Sequence, residues 1–489
     1  MTGEYQGERC SLAETGLDRY ENHVILPFYR KLLFSFGGLG DAIIGNGVIG
    51  AGTLYSLALK LDPLTVGIIA VIPRLWDAVT DPFMGHISDN TRTRWGRRRP
   101  YVLFGGISAA LIFFILMCPP ASLGDRGTLV YFFVTLMFYY TAYTVFSVPY
   151  SALGFEMSID YHERTRVMAF RAFCVAIGGM IAGFAMWITF NRIFPSPRVG
   201  MGATGLLFAA IASISFVVAA LGTREAAETQ KQDKLDLLRA FKYTMTNGQF
   251  LLLVGALAMY VLGLYVTLPV YTWINSYYVF HGDLAAAGKL EMIRSTIYAV
   301  LMLGTIFPLT WLGTRLGKRQ TLALALLFAV IGTSSTWFMF TPKAPYLQLL
   351  MPVALACALP AVQIFPMSIM ADICDLDELK TGLRREGLYG ASFGFVIKLA
   401  GSMTLFLTGV ILRVAGIDQT ARVQTPEALL KLRVLGALVP AIMLGIAGIL
   451  LFRLNVPESK VREVRAILEQ RRKWCRGAPL RSPKPKELA

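Results

Sequence analysis

The chain has 489 residues, of which 55% are hydrophobic and only 16% charged, and its mean hydropathy is +0.54. Soluble domains carry roughly a quarter charged residues, so a soluble multidomain enzyme, a disordered scaffold and a fibrous protein are excluded. A membrane-embedded chain of this length crosses a bilayer about twelve times at about 20 residues per span. The net charge of +16 is read as topology, not as nucleic-acid binding, because Lys and Arg concentrate in the cytoplasmic loops of polytopic proteins.

Residues 1–35 are expected to form a cytoplasmic N-terminal segment. They lack the basic region, apolar core and small-residue cleavage site of a signal peptide, so the first apolar helix should insert the chain itself. Residues 36–222 hold six apolar runs, at about 36 to 60, 64 to 86, 101 to 119, 128 to 152, 167 to 190 and 202 to 222. The stretch 223–248, with Arg224, Lys231, Lys234, Arg239 and Lys242, is too charged for hydrocarbon and reads as a cytoplasmic linker. Residues 249–455 hold six more runs, at about 249 to 274, 290 to 313, 320 to 341, 346 to 372, 388 to 412 and 434 to 454. The tail 456–489 is basic. In it Val461, Val464, Ile467 and Leu468 recur at helical spacing among Lys460, Arg462, Arg465, Arg471 and Arg472. That pattern suits a helix lying on the inner leaflet or one packed on the cytoplasmic loops.

Loop charges set the orientation. Arg92, Arg94, Arg97, Arg98 and Arg99 follow the second span, whereas the next loop carries only Arg126. Arg315, Lys318 and Arg319 likewise oppose a loop with only Lys343. The heavier set shares its side with the linker and both ends, which places them in the cytoplasm. A faint repeat links the halves: Gly85-His-Ile-Ser-Asp89 continuing to Gly96-Arg97-Arg98 after the second span, and Gly313-Thr-Arg315-Leu-Gly317-Lys318-Arg319 after the eighth. The expected fold is thus all-α, twelve transmembrane helices in two six-helix halves of major facilitator type, with a central cavity near the midplane.

Ionisable residues inside apolar runs point to function, since each is costly at depth unless it faces a cavity or a partner. Asp77 and Asp81 in Arg74-Leu-Trp-Asp-Ala-Val-Thr80-Asp81-Pro82 are four residues apart, hence on one helix face about 6 Å apart along the axis. Two such anions need a metal cation, a proton or a fixed positive charge. Asp41 in the first span, Arg171 in the fifth and Lys398 in the eleventh complete a network of three carboxylates and two cations. One negative charge is left for a coupling ion, provided that Arg74 lies nearer the surface. Asp89 sits among the loop arginines and reads as a gate latch, with Arg97 and Arg98. Most tyrosines in the fourth and seventh spans read as packing or interfacial belt. Tyr150 is the exception, flanking Pro149 in a polar patch with Thr144, Ser147 and Ser151, where a ring could stack on a solute.

Other motifs carry no chemistry. Gly45-Asn46-Gly47-Val-Ile-Gly50 matches a dinucleotide fingerprint but lies inside an apolar span with no preceding strand, so helix packing explains it. His23, His86, His162 and His281 are scattered. Cys10, Cys118, Cys174, Cys357, Cys374 and Cys475 have no C-x-x-C spacing, so neither a metal cluster nor a disulfide framework is expected. No Walker motif is present, which makes an ion gradient the expected energy source.

The segments Arg74–Pro82, Ser88-Asp-Asn-Thr-Arg-Thr-Arg-Trp-Gly-Arg97, Val148-Pro-Tyr-Ser-Ala-Leu153, Ala371-Asp-Ile-Cys-Asp375 and Thr381-Gly-Leu-Arg-Arg-Glu-Gly387 resemble the glycoside-pentoside-hexuronide:cation symporters. These are the melibiose-permease-like branch of the major facilitator superfamily. The resemblance runs over about residues 33 to 455. It implies that Asp77 and Asp81 bind the coupling cation, Na⁺ or H⁺, with Thr80 and Thr144 beside them. It also implies that Asp41 and Arg171 contact sugar and that Lys398 adjoins the cation site. Two departures stand out: Ser147 and Ser151 replace an aspartate and a tryptophan of the melibiose carriers, and Thr80 replaces an asparagine. Losing that aspartate removes a charged acceptor for two sugar hydroxyls, so a melibiose-like galactoside mode is not implied. Val148–Leu153 is also similar to animal sodium-coupled lysolipid carriers.

The expected function is cation-coupled import of a sugar or glycoside by alternating access, in a bacterial inner membrane. The expected solute site comprises Asp41, Arg171, Tyr150, Ser147 and Lys398. No cofactor, enzymatic activity or nucleic-acid partner is expected; the partners are a small solute and membrane lipid. The alternatives are a carrier of an acidic sugar or a lysolipid-like solute, or a non-transporting sensor of the same fold.

Overall fold

A computed structural model describes residues 26–157, 161–223, 246–381, 386–456, 461–464 and 466–468. Cys10, His23, the linker residues Arg224, Lys231, Lys234, Arg239 and Lys242, the tail residues Lys460, Arg465, Arg471 and Arg472, and Cys475 lie outside them, as does the side chain of His162. Among the described residues there are 12 helices long and apolar enough to cross a membrane, and no strand.

The first six are α1 Phe28–Ala58, α2 Pro63–Asn90, α3 Arg99–Leu116, α4 Asp125–Glu156, α5 Tyr161–Ala182 with a short continuation Ala185–Thr189, and α6 Pro197–Gly222. The last six are α7 Gly248–Trp273, ending in a π-helical turn Ile274–Val279, α8 Leu284–Leu316, α9 Lys318–Met339, α10 Ala358–Thr381 after short helices Pro345–Leu350 and Met351–Leu355, α11 Glu386–Ala415, and α12 Pro426–Arg453.

A helix entering hydrocarbon must satisfy its first N–H groups before water is lost. Three helices that start on the face opposite the Arg-rich loop do so in one way, with a capping side chain followed by proline. Asp62 accepts from Thr65 N before Pro63, Ser196 from Val199 N before Pro197, and Thr425 from Ala428 N before Pro426. Large side chains such as Phe307 and Phe452, 80% and 81% exposed, face outward where lipid would lie.

Two helices start about eight residues earlier than their apolar runs suggest. α1 begins at Phe28 because Lys31 is buried in its first turns and pairs with Glu163 of α5 at 2.6 Å. Lys31, and after it Arg166, hold the Glu163 carboxyl below the ordinary glutamate range. α12 begins at Pro426 and carries the exposed pair Glu427–Lys431 on its first turns. In the tail, Val461, Val464 and Leu468 are buried, so this stretch packs on the protein; Ile467 is half-buried.

Within the first six helices α1 packs on α5 and α6, and α3 on α4 and α6; within the last six, α7 packs on α11 and α12, and α9 on α12. The two sets meet chiefly through α2 with α11 and α5 with α8. The closest approaches lie on the face opposite the Arg-rich loop. A Cβ on Gly67 would stand 2.5 Å from Leu405 O, and one on Gly409 2.5 Å from Leu64 Cα. A Cβ on Gly288 would stand 2.9 Å from Met186. Among the described residues, α4 and α10 make no comparable packing across the sets. The protein is thus closed on the Arg-poor face.

Candidate cation and solute site

Residues 74, 77 and 81 of α2 recur at helical spacing and face α4 and α11. Asp77 is wholly buried. It accepts from Thr144 Oγ1 of α4 at 2.6 Å, from Lys398 Nζ of α11 at 3.0 Å and from Arg74 Nη1 at 3.3 Å. Lys398 also pairs with Asp81, which receives a longer contact from Thr144 at 3.4 Å. Thr80 donates to the carbonyls of Trp76 and Asp77 at 3.1 and 3.2 Å and lies 3.2 Å from Thr144 Oγ1. Lys398 and Asp81 keep about a quarter of their side-chain surface, at 25% and 27%, so the ammonium sits on the open side of the cluster and Asp77 on the closed side.

The expectation that Arg74 lies nearer the surface is corrected. Its guanidinium contacts Asp77 and lies 5.2 Å from the Tyr140 ring centroid. The ring face attracts the cation, and 28% of the arginine side chain stays exposed. The network therefore has three carboxylates and three cations, balanced in their ionised forms.

A second cluster lies between α1, α4 and α5. Arg171 Nη2 reaches Asp41 at 3.4 Å, and Tyr143 donates to the same carboxylate at 2.7 Å. Tyr150 is fully buried. Its hydroxyl donates to Phe34 O at 3.0 Å and its ring supports Arg171 at 5.0 Å, so it bears on the cluster through the guanidinium. Ser147 is half-buried one turn along α4 from Thr144. Tyrosines of α4 in ring contact, one pair edge-to-face and one stacked, join the two clusters. Tyr140 under Arg74 meets Tyr139 at 5.3 Å, and Tyr139 meets Tyr143 at 5.7 Å. Sequence reasoning assigned Tyr143 to packing; only its Asp41 contact gives it a place here.

Near the Arg-rich face, Arg98 pairs with Asp89 at 2.5 Å and with Glu156 at 2.8 Å, and Arg97 pairs with Glu156 at 3.0 Å. These partners tie together the ends of α2, α3 and α4. Glu156, not foreseen, is the common acceptor.

A cavity of about 300 Å³ lies between the two sets of helices, toward the closed face. This is at the lower end of small-molecule pockets, ~300–1,000 Å³. Its polar lining includes Asn46, Tyr265, Thr272, Glu291, Tyr298 and Gln363, amid aliphatic and methionine side chains. Asp41, Arg171, Tyr150, Ser147 and Lys398 are not in its wall. Asp41 and Arg171 stand five and four residues along their helices from the lining residues Asn46 and Val175. Glu291 and Arg294 escaped the sequence reading because they stand at the start of an apolar run, where charge resembles a helix end.

Two six-helix sets around a cavity between them, with buried charges bridging them, define a secondary transporter of the major facilitator superfamily, an integral membrane protein. The family profile described as MFS/sugar transport protein matches residues 37–458. The chain belongs to this family, in its glycoside-pentoside-hexuronide:cation symporter branch. It is similar to the glucuronide carrier protein homolog of Escherichia coli strain K12, 26% identical over 89% of this chain and 94% of that one. It is also similar to the sodium-dependent lysophosphatidylcholine symporter 1-A of Danio rerio, 24% identical over 90% and 87%. Among solved structures, a D-xylose-proton symporter superposes with a TM-score of 0.63 at 14% identity, covering 89% of this chain and 99% of that one.

Proposed function

We propose that the protein imports a sugar or glycoside by symport with Na⁺ or H⁺. The halves 36–222 and 249–455 rock about the central site, in a bacterial inner membrane with both termini cytoplasmic. The observation that carries this reading is Asp77, wholly buried, with Lys398 of the opposite set as its neighbour. In this state Lys398 supplies the positive charge that Asp77 and Asp81 require. A coupling cation entering between the carboxylates, with the Thr80 and Thr144 hydroxyls as further oxygen donors, displaces the ammonium. The displaced lysine loosens the α2–α11 contact, and the row of tyrosines on α4 carries the change to Asp41 and Arg171. Cation and solute each favour the same conformation, so each raises the affinity of the other. Closure of the Arg-poor face makes this the inward-facing member of the cycle.

Asp77→Asn in proteoliposomes tests the assignment. Gradient-driven accumulation should fall to the equilibrium level while downhill exchange persists. Uphill uptake at the wild-type level would remove Asp77 from coupling. The apolar cavity wall, together with the lysophosphatidylcholine symporter relative, favours a second reading in which the solute is amphipathic.

A further inference from the structure

The fourth helix has Ser147 and Ser151 where a carboxylate acceptor for sugar hydroxyls was sought, yet the cavity wall does hold a carboxylate. Glu291 lines it from α8 and keeps 16% of its side-chain surface. The carboxylate is fixed on two sides. Arg294, one turn along the helix, donates Nη2 at 2.6 Å, and Thr272 of α7 lies 3.1 Å from both oxygens. Arg294 itself is only 5% exposed, with its guanidinium 5.8 Å from the Phe340 ring. It lines the same cavity, with its Nη2 engaged by Glu291. A carboxylate so held presents its remaining lone pairs to the cavity as charged acceptors, which bind hydroxyl donors about twice as strongly as neutral ones. Around it stand groups that both donate and accept: Asn46 of α1, Tyr265 of α7, Tyr298 of α8 and Gln363 of α10.

We propose that Glu291 is a solute-binding residue of the second six-helix set, accepting hydroxyls of a neutral glycoside, with Arg294 as its positioning residue. This rests on the transport reading above and narrows its substrate class. An anionic solute would meet the Glu291 carboxylate, and the one guanidinium beside it, Arg294, is already paired with that carboxylate, so the acidic-sugar alternative is disfavoured. The methionine and leucine wall takes an apolar aglycone, with Met180, Met186, Met302 and Met351 as adaptable surface.

The test is equilibrium binding to the full chain in lipid nanodiscs with Na⁺ present, using neutral p-nitrophenyl glycosides (β-glucoside, β-xyloside, α-galactoside) against p-nitrophenyl β-glucuronide. At least one neutral glycoside should bind ten times more tightly than the glucuronide, and Glu291→Gln should weaken that binding at least tenfold. Because this variant strands a buried guanidinium, Glu291→Gln combined with Arg294→Met removes both charges. The pair variant should melt like wild type and lose the solute equally. Glucuronide binding as tight as any neutral member, binding of no neutral member by wild type, or less than a threefold change in both variants overturns the proposal. Cation-driven uptake by the same wild-type protein is read separately. Uptake that survives in Glu291→Gln sinks only the Glu291 assignment, whereas no uphill uptake of any solute by wild type sinks the transport reading.

Discussion

Thr144 donates to Asp77 at 2.6 Å and reaches Asp81 at 3.4 Å, so one hydroxyl is shared by the two carboxylates that, on the proposed cycle, exchange their positive partner. Thr144→Val keeps the shape and deletes that oxygen. A hydrogen bond to a charged group contributes ~1.5–3 kcal/mol, and about 1.4 kcal/mol is tenfold in affinity. The half-saturating cation concentration for uptake should rise about tenfold or more with the maximal rate largely kept; an unchanged value would remove the hydroxyl from the cation's ligands. At this scale, much of the network was legible, because a carboxylate or ammonium deep in an apolar run has few tolerable surroundings. Arg74 was not: hydropathy places it in the same run, but only coordinates show its guanidinium against Asp77 and the Tyr140 ring. Glu291 was hidden for the converse reason. It sits near a helix start, and the packing of α8 against the end of α5 is what brings it into the cavity wall.

Closure of the Arg-poor face depends on two helices crossing without side chains between them. At Gly409 a Cβ would stand 2.5 Å from the Leu64 backbone, and at Gly67 2.5 Å from Leu405 O. Gly409→Val therefore overpacks the closed state alone, at a cost of ~1–3 kcal/mol. That shifts the population toward the form open on this face by roughly 5- to 150-fold. A single cysteine at Asn46, in an otherwise cysteine-free chain, should react at least fivefold faster with an impermeant maleimide added from the Arg-poor side. An unchanged rate would show that the α2–α11 crossing does not hold the face shut. The twelve spans could be counted from hydropathy because hydrocarbon thickness fixes their length. Their ends and crossings were less legible. The opening turns of α1 and α12 carry Lys31 and Lys431, which read as loop until their partners are known. Nothing in Gly67 or Gly409 alone names the helix that approaches it.

For the whole molecule, the charge balance decides which step of the cycle the membrane potential drives. Asp41, Asp77 and Asp81 are matched by Arg74, Arg171 and Lys398, and Glu291 by Arg294. On the proposed cycle, with these groups ionised, the empty carrier would move no net charge on its return, while the carrier loaded with a monovalent cation and a neutral glycoside would move one. Had Arg74 lain outside the network, the loaded form would be neutral and the empty return voltage-driven. The two arrangements reach the same end point by different kinetics. One charge crossing 100 mV gains ~2.3 kcal/mol, or about fiftyfold in accumulation at about 1.4 kcal/mol per tenfold. Proteoliposomes held at an inside-negative 100 mV by a potassium diffusion potential, with equal cation on both sides, should accumulate the glycoside about fiftyfold. The initial rate of uptake should rise with voltage when cation and solute are saturating. No accumulation above equilibrium, in liposomes that do accumulate the solute when given a cation gradient, would mean that the solute carries the compensating negative charge, and with it Glu291 would lose its role as the acceptor. Voltage dependence of the final level without any in the saturated initial rate would place the charge movement on the empty return, and Arg74 would then have to leave the network during the cycle.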